Sequence, residues 1–107
     1  MSAEAEYHPT IMELPSNERP RERLLDYGAN ALSNAELLAI ILRVGAPDQN
    51  VILVAQTLLS RFGGLTGMAK ASTAELTETR GVGTAKVAQL KAALELGRRM
   101  LIESPDE

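Results

Sequence analysis

Apolar residues recur along this chain at the three- and four-residue spacing of helices, and polar residues and glycines separate the apolar segments. A short helix is predicted from Pro20 to Tyr27, because proline suits the first helical position and Gly28 suits the position after the last. A second helix opens at Ser33 and continues through an almost unbroken apolar stretch to Val44. A helix that is apolar on nearly all sides is expected to lie in the core.

Three further helical segments are predicted in the second half of the chain. One runs from about Asn50 to Phe62, and a brief capped helix covers 73–79 after a short turn or helix at 65–70. The last takes Thr84 as its N-cap and continues to about Ile102. Its inward-facing residues are expected to be Val87, Leu90, Leu94 and Leu101, with Gly97 allowing close packing. No stretch alternates with a period of two, so the predicted fold class is all-α, a compact bundle of about five helices.

Two segments carry the pattern of a capping box, in which a serine and a glutamate three residues later each satisfy the other residue's free amide. They are Ser33 with Glu36 and Ser72 with Glu75. We interpret both glutamates as capping residues and not as an acid–base pair. Because each copy continues into a helix that stops at a glycine, the repetition suggests a degenerate tandem pair of hairpins.

Composition describes a small aliphatic domain. With 107 residues, of which 45% are apolar, the chain has room for one compact core. It contains no cysteine and a single histidine, His8, so neither a disulfide nor a metal or nucleophile site is predicted. No apolar run approaches the ~20 residues needed to span a bilayer, and the start of the chain does not have the pattern of a signal peptide. We expect a cytoplasmic domain without a membrane partner.

The net charge of −3 conceals an uneven distribution. Residues 1–60 hold four basic and eight acidic side chains, whereas residues 61–100 hold seven basic and three acidic ones. Since the field at a surface depends on local charge, the second half is the one suited to an anionic partner. The acidic first half and the low total charge favour a protein partner instead.

The segment 72–91 has the pattern of two helices joined by Gly81-Val82-Gly83, a helix-hairpin-helix (SAM/HhH-like) element. Glycine supplies positive φ in such a turn without a Cβ penalty, and Val82 is expected to pack beneath it. The bare backbone and the free amides at the start of the next helix suit a phosphate. The candidate DNA-phosphate-binding residues are Arg80, Gly81, Val82, Gly83, Thr84, Ala85, Lys86 and Lys91. The same pattern also serves as a purely structural turn, which stays open as the alternative.

An ordered series of short motifs extends over roughly residues 13–100. It includes Arg19-Pro20-Arg21-Glu22, Ala31-Leu32-Ser33-Asn34-Ala35-Glu36-Leu37-Leu38-Ala39, Leu42-Arg43-Val44-Gly45, Gly81-Val82-Gly83 and Ala85-Lys86. This series resembles the N-terminal region of the RadC-like proteins, which are bacterial proteins labelled as DNA-repair proteins.

The resemblance implies a second domain of the JAB/MPN metallopeptidase-like type, with a zinc motif that these 107 residues do not contain. Any zinc or peptidase activity would belong to that absent C-terminal domain. We accordingly interpret residues 1–18 as a flexible lead-in, 19–102 as the helix-hairpin-helix domain and 103–107 as the start of a linker. By analogy with helix-hairpin-helix proteins, the hairpin carbonyls could hold a monovalent cation, and no other cofactor is expected.

Two functions follow as hypotheses. The first is a non-catalytic module that binds DNA without sequence specificity, by clamping backbone phosphates in the hairpin. The alternative is a protein-interaction or regulatory domain that docks on the metallopeptidase-like domain or on another protein. No enzymatic activity is expected of these residues.

Overall fold

Helices make up most of the structure, a computed structural model that describes residues 19–103. The α-helices are α1 (Pro20–Tyr27), α2 (Asn34–Leu42), α3 (Val51–Phe62), α4 (Leu65–Lys70), α5 (Thr73–Thr77) and α6 (Thr84–Glu103), with a 3₁₀ turn at Ala29–Ala31. Within the described residues there is no strand, only an isolated bridge between Ala46 and Gln49. The all-α prediction is confirmed. Residues 19–103 form six α-helices where about five were expected, because the segment 65–70 is a helix. The lead-in 1–18 and residues 104–107 lie outside the described part.

Side-chain caps begin three of the helices, as the sequence indicates for two of them. At α2 the Ser33 hydroxyl accepts a hydrogen bond from the Glu36 amide at 3.2 Å, and the Glu36 carboxylate accepts one from the Ser33 amide at 2.8 Å. Ser72 and Glu75 repeat this arrangement at α5, with 3.1 and 2.8 Å. Asn50 caps α3 by accepting from the Leu53 amide at 3.0 Å. The interpretation of both glutamates as capping residues is confirmed.

The core lies between α2 and α3 and is closed by α4, α5 and the first half of α6. Its buried residues are aliphatic or methionine: Leu38, Ala39, Leu42, Val51, Val54, Ala55, Leu58, Met68, Ala71, Leu76, Val82, Val87 and Leu90. Each leucine-sized side chain buried here contributes roughly 1.5–3 kcal/mol. Among the described residues, no helix has the length and apolar content needed to cross a membrane.

The helices α2 and α5 each end two residues before their predicted ends. After Leu42 the backbone at Arg43 adopts φ +74° and ψ −52°, and the Val44 amide donates to the Leu42 carbonyl at 2.9 Å. This closes a three-residue γ-turn and leaves Val44 64% exposed, so the expectation that it lies in a buried helix is wrong. At the end of α5, the amide of Thr79 bonds only three residues back, which tightens the chain into a turn.

The last helix departs from the prediction at both ends. The Val87 amide donates to the Gly83 carbonyl at 3.0 Å, so Gly83 occupies the N-cap position that was predicted for Thr84. Leu101 is 77% exposed, and no atom lies within 4 Å of where a Cβ on Gly97 would be. The predicted inward position of Leu101 and close packing at Gly97 are therefore wrong. A helix of 20 residues is about 30 Å long, and the other helices cover only its first half.

Candidate nucleic-acid interface

Two helix–loop–helix units bring their loops into direct contact. The first loop, 43–50, joins α2 to α3, and the second loop, 78–83, joins α5 to α6. A Cβ on Gly81 would lie 3.1 Å from the Cβ of Ala46 and 3.3 Å from its backbone nitrogen. Gly81 also has φ +88°, a conformation that other residues rarely adopt. Glycine at position 81 therefore permits both the turn and the contact. We call the two loops together with residues 84–86 the hairpin tip.

The second loop is fixed to the core from beneath. Val82 is 4% exposed, which confirms that it packs under the turn, and its amide donates to the Thr79 carbonyl at 3.0 Å. Arg61 on α3 donates to the Thr79 hydroxyl at 3.2 Å and forms an ion pair with Glu78 at 2.7 Å. The loop that begins α6 is therefore held by packing and by polar contacts to a neighbouring helix.

The start of α6 presents backbone amides that no side chain caps. Gly83 occupies the N-cap position and has no side chain, whereas α2, α3 and α5 are closed by Ser33, Asn50 and Ser72. The first amides of a helix have no partner within it, and here they are those of 84–86. No atom lies within 4 Å of a Cβ position on Gly83, so this side of the helix start is open. An anion could reach these amides, and the positive end of the helix dipole would attract it.

Lys86 joins the two loops. Its ammonium group donates to the Gly81 carbonyl at 2.9 Å and to the Val44 carbonyl of the first loop. Burial lowers the pKa of the Lys86 ammonium from its ordinary value. Because the two acceptors are uncharged, the positive charge at the hairpin tip is not cancelled by them. Gly81 belongs to the hairpin whose carbonyls were considered for a cation, and its carbonyl accepts a hydrogen bond from this lysine.

The other two basic candidates are engaged as well. Lys91 donates to the carbonyls of Ala71 and Ala69, the latter at 3.2 Å, and so closes the end of α4. Arg80 forms an ion pair of 2.8 Å with Asp48 of the first loop, and both side chains are more than half exposed. The structure thus gathers residues 80–86 at the hairpin tip and places the Lys91 ammonium against α4.

Asp48 and Arg43 belong to this surface, and the candidate list did not include them. Asp48 adds a negative charge beside Arg80, across 32 positions of sequence. Arg43 is exposed at the end of α2, next to the residue whose carbonyl Lys86 holds. No local pattern marks a non-glycine residue for positive φ, so Arg43 had no signal in the sequence. In residues 19–103, no group of three or more histidine, aspartate or glutamate side chains is arranged to hold a metal ion.

The fold and the paired loops define a small all-α domain, and comparison with known proteins gives its family. The chain belongs to the UPF0758 N-terminal family, whose model matches residues 11–88. A UPF0758 protein of Roseiflexus sp. (strain RS-1) is 57% identical over 102 residues, which cover 95% of this chain and 44% of that protein. A UPF0758 protein of Desulfitobacterium hafniense is 54% identical over 95 residues, 89% of this chain and 42% of that protein. No solved structure matches the chain.

The chain spans less than half the length of these relatives. Its family is the one of the RadC-like N-terminal region, so that part of the resemblance is confirmed. More than half of each relative lies outside the matched region, which is consistent with a separate C-terminal domain in those proteins.

Proposed function

We propose that this domain is a non-catalytic, sequence-independent DNA-binding module, and that the hairpin tip holds backbone phosphates. The observation that carries the proposal is the open start of α6. No side chain caps the first backbone amides of this helix, because the N-cap residue is Gly83. The space beside Gly83 is also open, since no atom lies within 4 Å of where its Cβ would be. A phosphate oxygen would take the place that the serine and asparagine oxygens occupy at α2, α3 and α5.

Local charge supports the same assignment. The second half of the described chain is basic, and the side-chain nitrogen of Lys86 lies in the first turn of α6, the helix with the open amides. Backbone amides and a lysine that meet phosphates fix the position of a strand without reading its bases. The module would therefore bind different sequences equally.

The geometry also predicts weak binding. The Asp48 carboxylate repels phosphate at the hairpin tip, and the lysine ammonium groups are shared with carbonyls. We expect Kd on the order of 10⁻⁴–10⁻⁶ M at physiological salt, the range of non-specific contacts. Affinity for duplex DNA should fall with salt, with a logarithmic slope of about 0.9 for each phosphate contacted. Asp48→Asn should strengthen binding, because it removes a negative charge beside Arg80.

The experiment is fluorescence-anisotropy titration of wild type and Gly83→Asp with short single-stranded and duplex DNA at low and moderate salt. An aspartate at the N-cap would occupy the free amides and repel phosphate. It should stabilise α6 by about 0.5–1 kcal/mol through capping and the dipole. The variant is therefore expected to be more stable than wild type and to bind DNA more weakly. Ser72→Asp is the matched control, since it adds the same charge at a helix start that is already capped. Wild type that fails to bind at low salt would refute the proposal.

A second function is favoured by a different surface. The end of α6 exposes four large apolar residues, each between 66% and 77% accessible: Leu96, Met100, Leu101 and Ile102. These residues surround the end of the helix. An exposed apolar helix end suits docking of the domain on another protein, and the longer relatives carry a further region that could cover it. This is the protein-interaction alternative, with the metallopeptidase-like domain as its partner.

Docking is tested by titrating this chain with the remaining part of the Roseiflexus relative and following hydrogen exchange. Protection of residues 96–102 is expected, and Leu101→Ser should remove it. Gly83→Asp should leave it unchanged, because that substitution lies at the other end of α6. Absence of protection in wild type would exclude docking through the end of α6.

A further inference from the structure

A cleft of about 400 Å³ lies beside the first loop, between the start of α1 and the end of α2. One wall is apolar and includes Pro20, Ile40 and Val51. Among the residues that the structure describes, the charged groups that line it are Arg19, Arg21, Arg43 and Glu22. The described part of the lining therefore contains more guanidinium groups than carboxylates.

The composition of this cleft defines the class of ligand that fits it. Guanidinium groups present a planar fork of donors that matches the oxygens of a phosphate. An apolar wall suits the flat, weakly polar body of a base. A volume of this size is in the range of small-ligand sites, which combine apolar walls with a few polar groups.

Arg43 enters the cleft from a strained backbone. Its φ of +74° and ψ of −52° belong to a γ-turn that glycine tolerates and that the Cβ of an arginine disfavours. Its side chain forms no ion pair with any residue that the structure describes. The carbonyl of the next residue, Val44, is held by Lys86, which fixes the turn to the hairpin tip. An exposed arginine kept in such a turn is a candidate for ligand contact.

We propose that this cleft binds one unpaired nucleotide of the DNA strand, with its phosphate on Arg43 and Arg21 and its base against the apolar wall. The inference rests on the proposed function and deepens it, because it adds a second contact and a preference for DNA structure. A base inside a duplex is stacked and cannot reach the wall. The domain should therefore prefer single strands, and duplexes with single-stranded overhangs, to blunt duplex.

The test is titration of the whole chain with thymidine monophosphate and with inorganic phosphate, followed by amide chemical shifts in NMR. The nucleotide should shift the amides of Ile40, Arg43 and Val44, and inorganic phosphate should bind more weakly. Arg43→Gly should weaken nucleotide binding at least tenfold. Because glycine tolerates the γ-turn, this variant should melt no lower than wild type. Arg99→Gln, which removes one positive charge at the far end of α6, is the matched control and should bind as wild type.

The outcomes separate this inference from the proposed function. Nucleotide binding in the cleft would be refuted if the nucleotide shifted amides outside the cleft. It would also be refuted if the Arg43→Gly variant bound the nucleotide as tightly as wild type. Suppose that Gly83→Asp abolishes DNA binding while Arg43→Gly changes neither nucleotide binding nor the preference for single strands. This result would support phosphate binding at the hairpin tip and refute nucleotide binding in the cleft. If the nucleotide binds in the cleft and no DNA binds at the hairpin tip, the proposed function fails and the cleft remains as a nucleotide site.

Discussion

Replacing Lys86 by methionine tests whether one ammonium group holds the two loops together. Methionine keeps an unbranched apolar stem and removes the donors to the Gly81 and Val44 carbonyls. Hydrogen bonds to charged groups contribute about 1.5–3 kcal/mol each. The cost of burying the ammonium, which lowers the pKa of Lys86, offsets part of the two bonds. We expect a net loss of about 2 kcal/mol, which for a domain of this size lowers Tm by about 8–16 °C.

The assay is thermal and urea unfolding followed by circular dichroism at 222 nm. Lys70→Met is the matched control, because Lys70 is exposed at the end of α4 and has no ion pair with the residues described. It should stay within about 0.5 kcal/mol of wild type, as surface substitutions usually do. A Lys86→Met variant as stable as this control would refute the reasoning. The contact of the loops would then depend on packing at Gly81 and Val82 alone.

Two further predictions concern the helix caps and an ion-pair cluster within α6. Ser33→Ala and Ser72→Ala should each lower the free energy of unfolding by about 1 kcal/mol, because each removes the oxygen that caps a helix start. The measurement is a urea titration, and an unchanged unfolding midpoint in both variants would contradict the capping role. Hydrogen bonds from Arg98 and Arg99 lower the pKa of Glu95 from 4.5 to about 2. Because the folded-state pKa is depressed, the contribution of this carboxylate to stability is present above pH 4.5 and is lost as pH falls towards 2. A carboxyl carbon of Glu95 that titrates near 4.5 by NMR would disprove this assignment.

The positions of the basic residues change what the hairpin can do. In the sequence, Lys86 and Lys91 stand at a spacing that suggests two phosphate contacts from one helix. In the structure each ammonium donates hydrogen bonds to backbone carbonyls instead. Lys86 binds carbonyls of the two loops, and Lys91 binds carbonyls at the end of α4. A charge-reversal variant such as Lys86→Glu would therefore damage the fold as well as any site. This is why Gly83→Asp, which improves the cap, is the sharper test of DNA binding.

The starts of the helices could be predicted from the sequence because each depends on groups only three or four residues apart. The hydroxyl of Ser33 and the amide of Glu36 meet as soon as the first turn forms, whatever the remainder of the chain does. The aliphatic pattern likewise identified the helix faces that enter the core, and the glycine at position 81 marked the turn. These features follow from local geometry and from the apolar character of side chains.

Contacts between distant segments depended on the tertiary structure. Lys86 and Val44 are 42 positions apart, and Arg80 and Asp48 are 32 positions apart. Which carbonyl or carboxylate a long side chain reaches depends on how the loops are placed, and periodicity carries no information about that. The exposure of Leu101 has the same origin, since the period of a helix shows which face is apolar but not how far the neighbouring helices extend along it. Positive φ at Arg43 is also imposed by the packing of the loops, because the local preference of arginine opposes it.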